Sequence, residues 1–232
     1  MAKLKFNEKE HKYTIGKKEL ESVTTFIGKF FSPFDAKGIA RKLAKFPVNK
    51  SAKHGVRYFL KIWKQAAEHG TETHQLIEYN ILGKQIKDIG KYETRSLLKA
   101  HHACEWLRSQ DFFRLGESFP ESRVFDEELG LAGTIDLCVE DCDGLTLVDW
   151  KSNKDIKKKS YKSKKCFEPI EELDDCSYNK YTLQLSMYAY IMERKGINIK
   201  KLILLHAKED GVQEYEVPYR KDLVEKMIKH EK

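Results

Sequence analysis

Two apolar runs, Leu131–Val139 and Leu145–Trp150, flank an Asp-Gly dipeptide at 143–144. Both runs are rich in strand-forming residues, and Asp-Gly between such runs is a strong local signal for a β-hairpin. With the turn centred between Cys142 and Asp143, Asp136 lies as far before the centre as Asp149 lies after it. The two carboxylates therefore fall on opposed or near-opposed positions. The two-residue period puts Asp149 and Lys151 on the face shared with Leu145 and Leu147, and Val148 and Trp150 on the other. The charges thus emerge from an otherwise buried surface. Two carboxylates held side by side there need a cation to stay ionised, and oxygen ligands of this kind suit Mg²⁺ or Mn²⁺.

Asp-x-Lys alone carries little information, because Asp35-Ala36-Lys37 and Asp155-Ile156-Lys157 repeat it in a helix and in a charged loop. Asp149-Trp150-Lys151 differs in lying on an apolar strand with a second aspartate facing it. A structural salt bridge is the competing explanation there.

Around this hairpin the chain reads as an α/β protein. A small hairpin is expected over Lys3–Leu20, turning at Gly16-Lys17-Lys18, and Ser22 reads as the N-cap of a helix over Val23–Phe31. Pro33 ends that helix, Asp35–Lys45 starts another, and Pro47 with Asn49-Lys50-Ser51 marks a loop. Val56–His69 reads as a helix with Phe59, Leu60 and Trp63 on one side. Gly70-Thr71 interrupts it, and Glu72–Leu82 resumes it. Tyr92–Ser109 is a long helix, followed by a loop to Pro120. Ser122–Glu128, Leu131–Glu140 and Leu145–Lys151 then read as three antiparallel strands. A long loop, a helix over Tyr181–Arg194, strands at Lys201–Ala207 and Gln213–Val217, and a helix over Tyr219–Glu231 complete a mixed sheet flanked by helices.

At 232 residues the chain is long enough for a sizeable core. No apolar run approaches the length needed to span a bilayer, and Met1-Ala-Lys-Leu-Lys is not a signal peptide, so no membrane partner is expected and the compartment is expected to be cytoplasmic. The net charge of +7 is a mild bias toward polyanions. Lysines crowd residues 151–165, where a phosphate-tracking loop and a solvated loop are both compatible readings. Phe30, Phe31, Phe34 and Trp63 could stack bases of a single strand, although aromatics at helical spacing are usually core. The five cysteines are irregularly spaced and read as reduced thiols; Cys138-x-x-x-Cys142 lacks the second pair a zinc site would need.

Two further pairs stand four apart on expected helices, and hence on one face: His74 with Glu78, and Gln184 with Tyr188. Singly, each reads as ordinary core or surface. Together the pieces resemble the PD-(D/E)xK nuclease superfamily, in its RecB-like branch. The ordered motifs are Gly70…His74, Glu121, Gly133-Thr-Ile-Asp136, Asp149-Trp-Lys151 and Gln184-Leu-Ser-Met-Tyr188. Glu21-Ser22-Val23-Thr24-Thr25 is similar to the opening of small phage exonucleases and of mitochondrial genome maintenance exonuclease. Ile135 stands where the superfamily's name has proline.

The resemblance implies a restriction-endonuclease-like mixed central sheet flanked by helices. Residues 1–115 would carry a hairpin and a helical part with the His motif, and 116–232 the nuclease core. It implies that Asp136, Asp149 and the Trp150 carbonyl bind one or two Mg²⁺ or Mn²⁺ ions, joined by His74 and by Glu121 directly or through water. Lys151 would position the attacking water and offset charge on the phosphorane, and Gln184 and Tyr188 would orient the water or hold the scissile phosphate. Ser22 and Lys154 are further substrate-binding candidates. The helical part would arch over the site. No iron–sulfur cluster is expected, since no cysteine lies beyond Cys176. The implied activity is a metal-dependent deoxyribonuclease, most simply an exonuclease on single-stranded DNA or DNA ends in viral recombination or replication. No P-loop motif occurs, so helicase coupling would need a partner. A structure-specific endonuclease of the same fold, a DNA-binding module with a silent site, and a non-catalytic scaffold held by buried ion pairs are the alternatives.

Overall fold

The computed structural model describes residues 4–7, 10 and 12–231. Strands β1 (Leu4–Asn7), β2 (Lys12–Ile15) and β3 (Lys18–Ser22) form an antiparallel meander. The expected single hairpin is its β2–β3 half, turning at Gly16, whose φ of +59° suits glycine. β3 runs straight into helix α1 (Val23–Gly28), and Ser22 caps it by accepting the Thr25 N–H at 3.1 Å. Asp35, expected as the first residue of the next helix, instead caps helix α2 (Ala36–Ala44) by accepting the Gly38 N–H at 2.8 Å.

Three local expectations are corrected. Pro47 opens helix α3 (Pro47–Ser51) instead of marking a loop, because proline at the first helical position has φ pre-set and loses no helical bond. Gly70-Thr71 does not interrupt a helix: α4 runs unbroken from Val56 to Ile81. One interior glycine costs about 1 kcal/mol, less than burying Leu76 and Ile77 returns. After α5 (Thr94–Ser109), a short helix α6 (Asp111–Leu115) and the start of β4 (Glu117–Asp126) occupy the expected loop. β4 can include Pro120 because its one strand partner among the described residues is β5 (Leu131–Asp141), which leaves the other edge open.

β5 and β6 (Gly144–Lys151) form the expected hairpin. The turn itself is Cys142-Asp143, and Gly144, with φ +135°, opens the return strand. A long connection leads to α7 (Ser177–Glu193), then β7 (Ile199–Lys208), β8 (Gly211–Glu216) and α8 (Lys221–Glu231). The result is an α/β fold on an eight-stranded mixed sheet, ordered β1-β2-β3-β5-β6-β7-β8 with β4 on β5; β3–β5 and β6–β7 are the parallel pairs. One face packs on α1, α7 and α8 through Phe26, Leu147, Leu183 and Leu223. The other packs on α4 and α5 through Leu76, Leu107, Val148 and Trp150. Both cores draw on residues from before and after position 115. Among the described residues, no helix is long and apolar enough to cross a membrane.

The topology opens a fork. On one edge β5 pairs with β4 over most of its length. On the other, β3 reaches only Leu131 and Ala132, while β6 begins at Leu137. Gly133-Thr134-Ile135-Asp136 therefore lines a gap between two diverging neighbours. Side-chain alternation also slips there: Leu131 and Ile135 face the α7 side, yet Leu137 and Val139 face α4 and α5. Opposite Asp136, the β4 ladder skips Glu121, whose φ of +50° is left-handed and strained for a non-glycine residue.

A candidate metal centre in the fork of the sheet

Asp136 stands at the point where the β5–β6 ladder stops. The last paired residues are Leu137 and Val148, and beyond them the Trp150 N–H donates to Asp136 Oδ2 at 2.9 Å. Asp136 Oδ1 lies 3.3 Å from His74 Nδ1, which α4 delivers from the opposite side of the gap. Glu121 completes the group: ligand atoms of His74, Glu121 and Asp136 all lie within 4.8 Å of one another. Helix α4 and the consecutive strands β4 and β5 thus place one imidazole and two carboxylates around one point.

Asp149 adjoins this group rather than closing it. Its Oδ1 accepts the Gln184 side-chain N–H at 2.9 Å, and Gln184 also donates to the Tyr188 hydroxyl at 3.4 Å. Its Oδ2 lies 2.6 Å from Lys151 Nζ, a charge-assisted contact in a side chain only 3% exposed. Lys151 also sits 4.8 Å from the centroid of the Tyr181 ring. His74, Glu121, Asp136, Asp149, Lys151, Gln184 and Tyr188 line one cleft of about 500 Å³, whose wall also includes Ser22, Thr24, Gly70 and Thr71.

The electrostatics follow from crowding like charges in a half-closed space. Burial pushes Asp149 up to about 6 against the pull of Lys151, with Asp136 adding to the rise. Glu121 keeps solvent contact, yet the protein around its carboxyl and the Asp136 charge push it up to about 7. Burial would raise Asp136 as well, but His74, Lys151 and the Trp150 N–H outweigh it and hold Asp136 below its ordinary value. Burial opposes the charged forms of His74 and Lys151, and the neighbouring aspartates overcome it, so both are raised. Burial and the two aspartates hold the Tyr188 phenol far above its usual range, which makes it a neutral hydrogen-bonding group.

The donor set fits a hard divalent cation. Two carboxylates and an imidazole surround one point, a further buried carboxylate stands beside them, and a 2+ charge would relieve the Asp136 repulsion that adds to burial in raising Glu121.

Most residues singled out in the sequence meet here, with differences. Ser22 lies on the cleft wall while its hydroxyl caps α1. Trp150 enters through its N–H, and its ring packs in the core near His74. Gly70 lies within α4, where a Cβ would come within 3.3 Å of the Ser152 hydroxyl, so its role is close approach between helix and strand end. Lys154 is exposed and is not among the residues lining the cleft, because the chain turns away after Ser152. Within the lysine-rich loop, Lys164 and Lys165 pair with Asp175 and Asp174. Phe30 and Phe31 are core, so base stacking by them is excluded; Phe34 is exposed.

Sequence reasoning missed Tyr181 and the contact in which Tyr13 and Thr134 hydroxyls share a hydrogen bond at 3.0 Å on the cleft. Tyr181 was within reach, since it lies three before Gln184 and shares its helical face. Tyr13 was not, because its partner is set by the non-local β3–β5 pairing.

Comparison with known proteins adds little. No protein-family model and no curated protein matches the chain. Among solved structures, one titled "Crystal structure of SSO0001" aligns over 93% of this chain and 76% of its own, with 13% identity and a TM-score of 0.40. A likeness at that level carries no argument about function.

Proposed function

We propose that this protein is a metal-dependent deoxyribonuclease of the PD-(D/E)xK type, with a restriction-endonuclease-like core of the RecB-like branch, acting as an exonuclease on single-stranded DNA or DNA ends. The observation that carries the reading is the convergence of His74, Glu121 and Asp136 on one point, with Lys151 alongside. His74, Glu121 and Asp136 would hold Mg²⁺ or Mn²⁺, with Asp149 flanking. When bound, such an ion lowers the pKa of water and draws charge from a phosphoryl oxygen.

The chain's own groups supply the rest. Lys151, kept protonated by Asp149 and Asp136, stands where it can offset negative charge growing on the phosphate in the transition state. Gln184 fixes the Asp149 carboxylate, so the ammonium partner of Asp149 is fixed with it. The Trp150 N–H locks the rotamer of Asp136 from the strand that carries Lys151, tying the ligand group to the cation. Thr134 and Asp136 of the fork remain partly exposed and line the cleft, which is where a phosphodiester would enter.

The test is digestion of 5′- and 3′-end-labelled single strands, duplexes and closed single-stranded circles, with Mg²⁺, with Mn²⁺ and with EDTA. Metal-dependent loss of linear single strands, with circles spared, is the expected outcome. Cleavage of circles would reassign the enzyme as an endonuclease, and no cleavage of any substrate with either metal would overturn the reading.

A further inference from the structure

The molecule carries a second concentration of positive charge besides the lysine-rich loop. Residues 34–64, which form α2, α3 and the first part of α4, hold nine lysines and arginines against one aspartate. That surplus exceeds the +7 of the whole chain, so the remainder is close to neutral. All nine cations are exposed. The aspartate, Asp35, is engaged in capping α2. Among the described residues, only Lys64 of the nine forms an ion pair, with Glu68 at 3.5 Å. Elsewhere cations are commonly paired, as Lys29, Arg194, Lys200 and Lys226 are. Like charges gathered without partners repel one another and contribute nothing to the folded state.

Exposed rings stand among these charges. Phe34 is 66% exposed and Phe46 55%, and Tyr58 remains exposed although the His54 ring stacks on it at 3.7 Å and 4°. Each ring precedes or opens a different helix of the arm, so they are distributed across it rather than gathered in one greasy stripe. α4 then carries the arm's charge directly to the cleft: Tyr58 and His74 lie on one continuous helix, about 24 Å apart at the helical rise.

We infer that this arm is a track for single-stranded nucleic acid, with phosphates taken by its cations and bases stacked on Phe34, Phe46 and Tyr58, leading along α4 to the fork. Cations interleaved with exposed rings are the arrangement that binds a single strand without regard to sequence. An anionic lipid surface would answer the charge, but not the scattered rings or the continuation of the same helix into the cleft. The strand's destination rests on the nuclease reading; its binding to the arm does not.

The experiment is fluorescence anisotropy of the full chain with a labelled oligothymidylate in EDTA, repeated over a range of salt. The variant Lys50→Gln/Lys53→Gln/Arg57→Gln/Lys61→Gln is expected to flatten the log–log salt dependence by about 3, since each single-strand phosphate contact contributes about 0.7. Phe34→Ala/Tyr58→Ala is expected to weaken binding about tenfold or more without changing that slope. Lys157→Gln/Lys159→Gln/Lys162→Gln, in the loop, is expected to leave affinity within about twofold. The track is refuted if both arm variants bind like wild type, if the loop variant alone loses affinity, or if the arm charges are needed only for phosphatidylserine vesicles. Arm-dependent binding in a protein that never cleaves would sink the nuclease reading alone. Cleavage with arm-independent binding would sink the track alone.

Discussion

The β5–β6 hairpin carries a cluster of metal-capable groups at each end, and the two behave differently. At the turn, Asp141, Cys142 and Asp143 bring three ligand atoms within 4.8 Å of one another, as His74, Glu121 and Asp136 do at the fork. The turn cluster belongs to the surface, and Lys200 lies 2.7 Å from Asp141 and 2.9 Å from Asp143. Its ammonium and the surrounding water already satisfy the charge. At the fork the carboxylates are crowded and partly desolvated, and Glu121 and Asp149 are pushed upward. A count of acids does not separate the two ends; the cost of leaving them ionised does.

The largest expected contrast is in activity. Asp136→Asn or Lys151→Ala should lower cleavage of linear single strands by about 10³-fold or more, whereas Asp141→Asn/Asp143→Asn should cut like wild type. Equal losses at both ends, measured with end-labelled substrate under Mn²⁺, would break the comparison.

Metal-linked stability comes next. At saturating Mn²⁺, about 100 times Kd, the melting temperature should rise by about 5–10 °C, and Glu121→Gln or Asp136→Asn should remove the rise while the turn variant keeps it. The effect has a definite pH sign. Glu121 titrates near 7 in the folded protein and His74 above its ordinary value, so at pH 5.5 both hold protons that a cation must displace. The Mn²⁺-induced rise should therefore be small at pH 5.5, grow through pH 7 and level off above the folded pKa of His74. A rise that is larger at low pH would contradict the assignment.

Smaller effects sharpen the geometry. A Cβ on Gly133 would come 2.5 Å from the Tyr188 ring, so Gly133→Ala should cost about 1–3 kcal/mol in a denaturant melt. Smallest is Ser22→Ala, which removes the α1 cap for about 1 kcal/mol. If Ser22→Ala also impairs cleavage beyond that loss, the hydroxyl serves substrate as well as helix.

What was legible in the sequence was local. The two-residue period set the faces of Asp149, Leu147 and Trp150, the turn residues set the register that brings Asp136 opposite Asp149, and Ser22 announced its helix. What was not legible depends on distant pairing or on competition between terms. Parallel contact of Glu21 and Ser22 with Leu131 and Ala132 opens the fork, and nothing in residues 18–22 announces that partner. Gly70 looked like a break because helix propensity penalises it, but packing of the following turn outweighed the penalty. The strained backbone of Glu121 is a consequence of the slipped ladder around Asp136, which no spacing rule contains. The distribution of charge needed the fold as well: Lys164 and Lys165 of the dense lysine run find aspartate partners, while of the sparser cations of 34–64 only Lys64 is paired among the described residues.

The most direct measurement is an anomalous difference map from crystals of the protein soaked in MnCl₂. The account predicts a strong peak in the fork, within coordinating distance of His74, Glu121 and Asp136 and close to Asp149. A peak confined to the Asp141–Asp143 turn, with the fork left without one at saturating Mn²⁺, would contradict it.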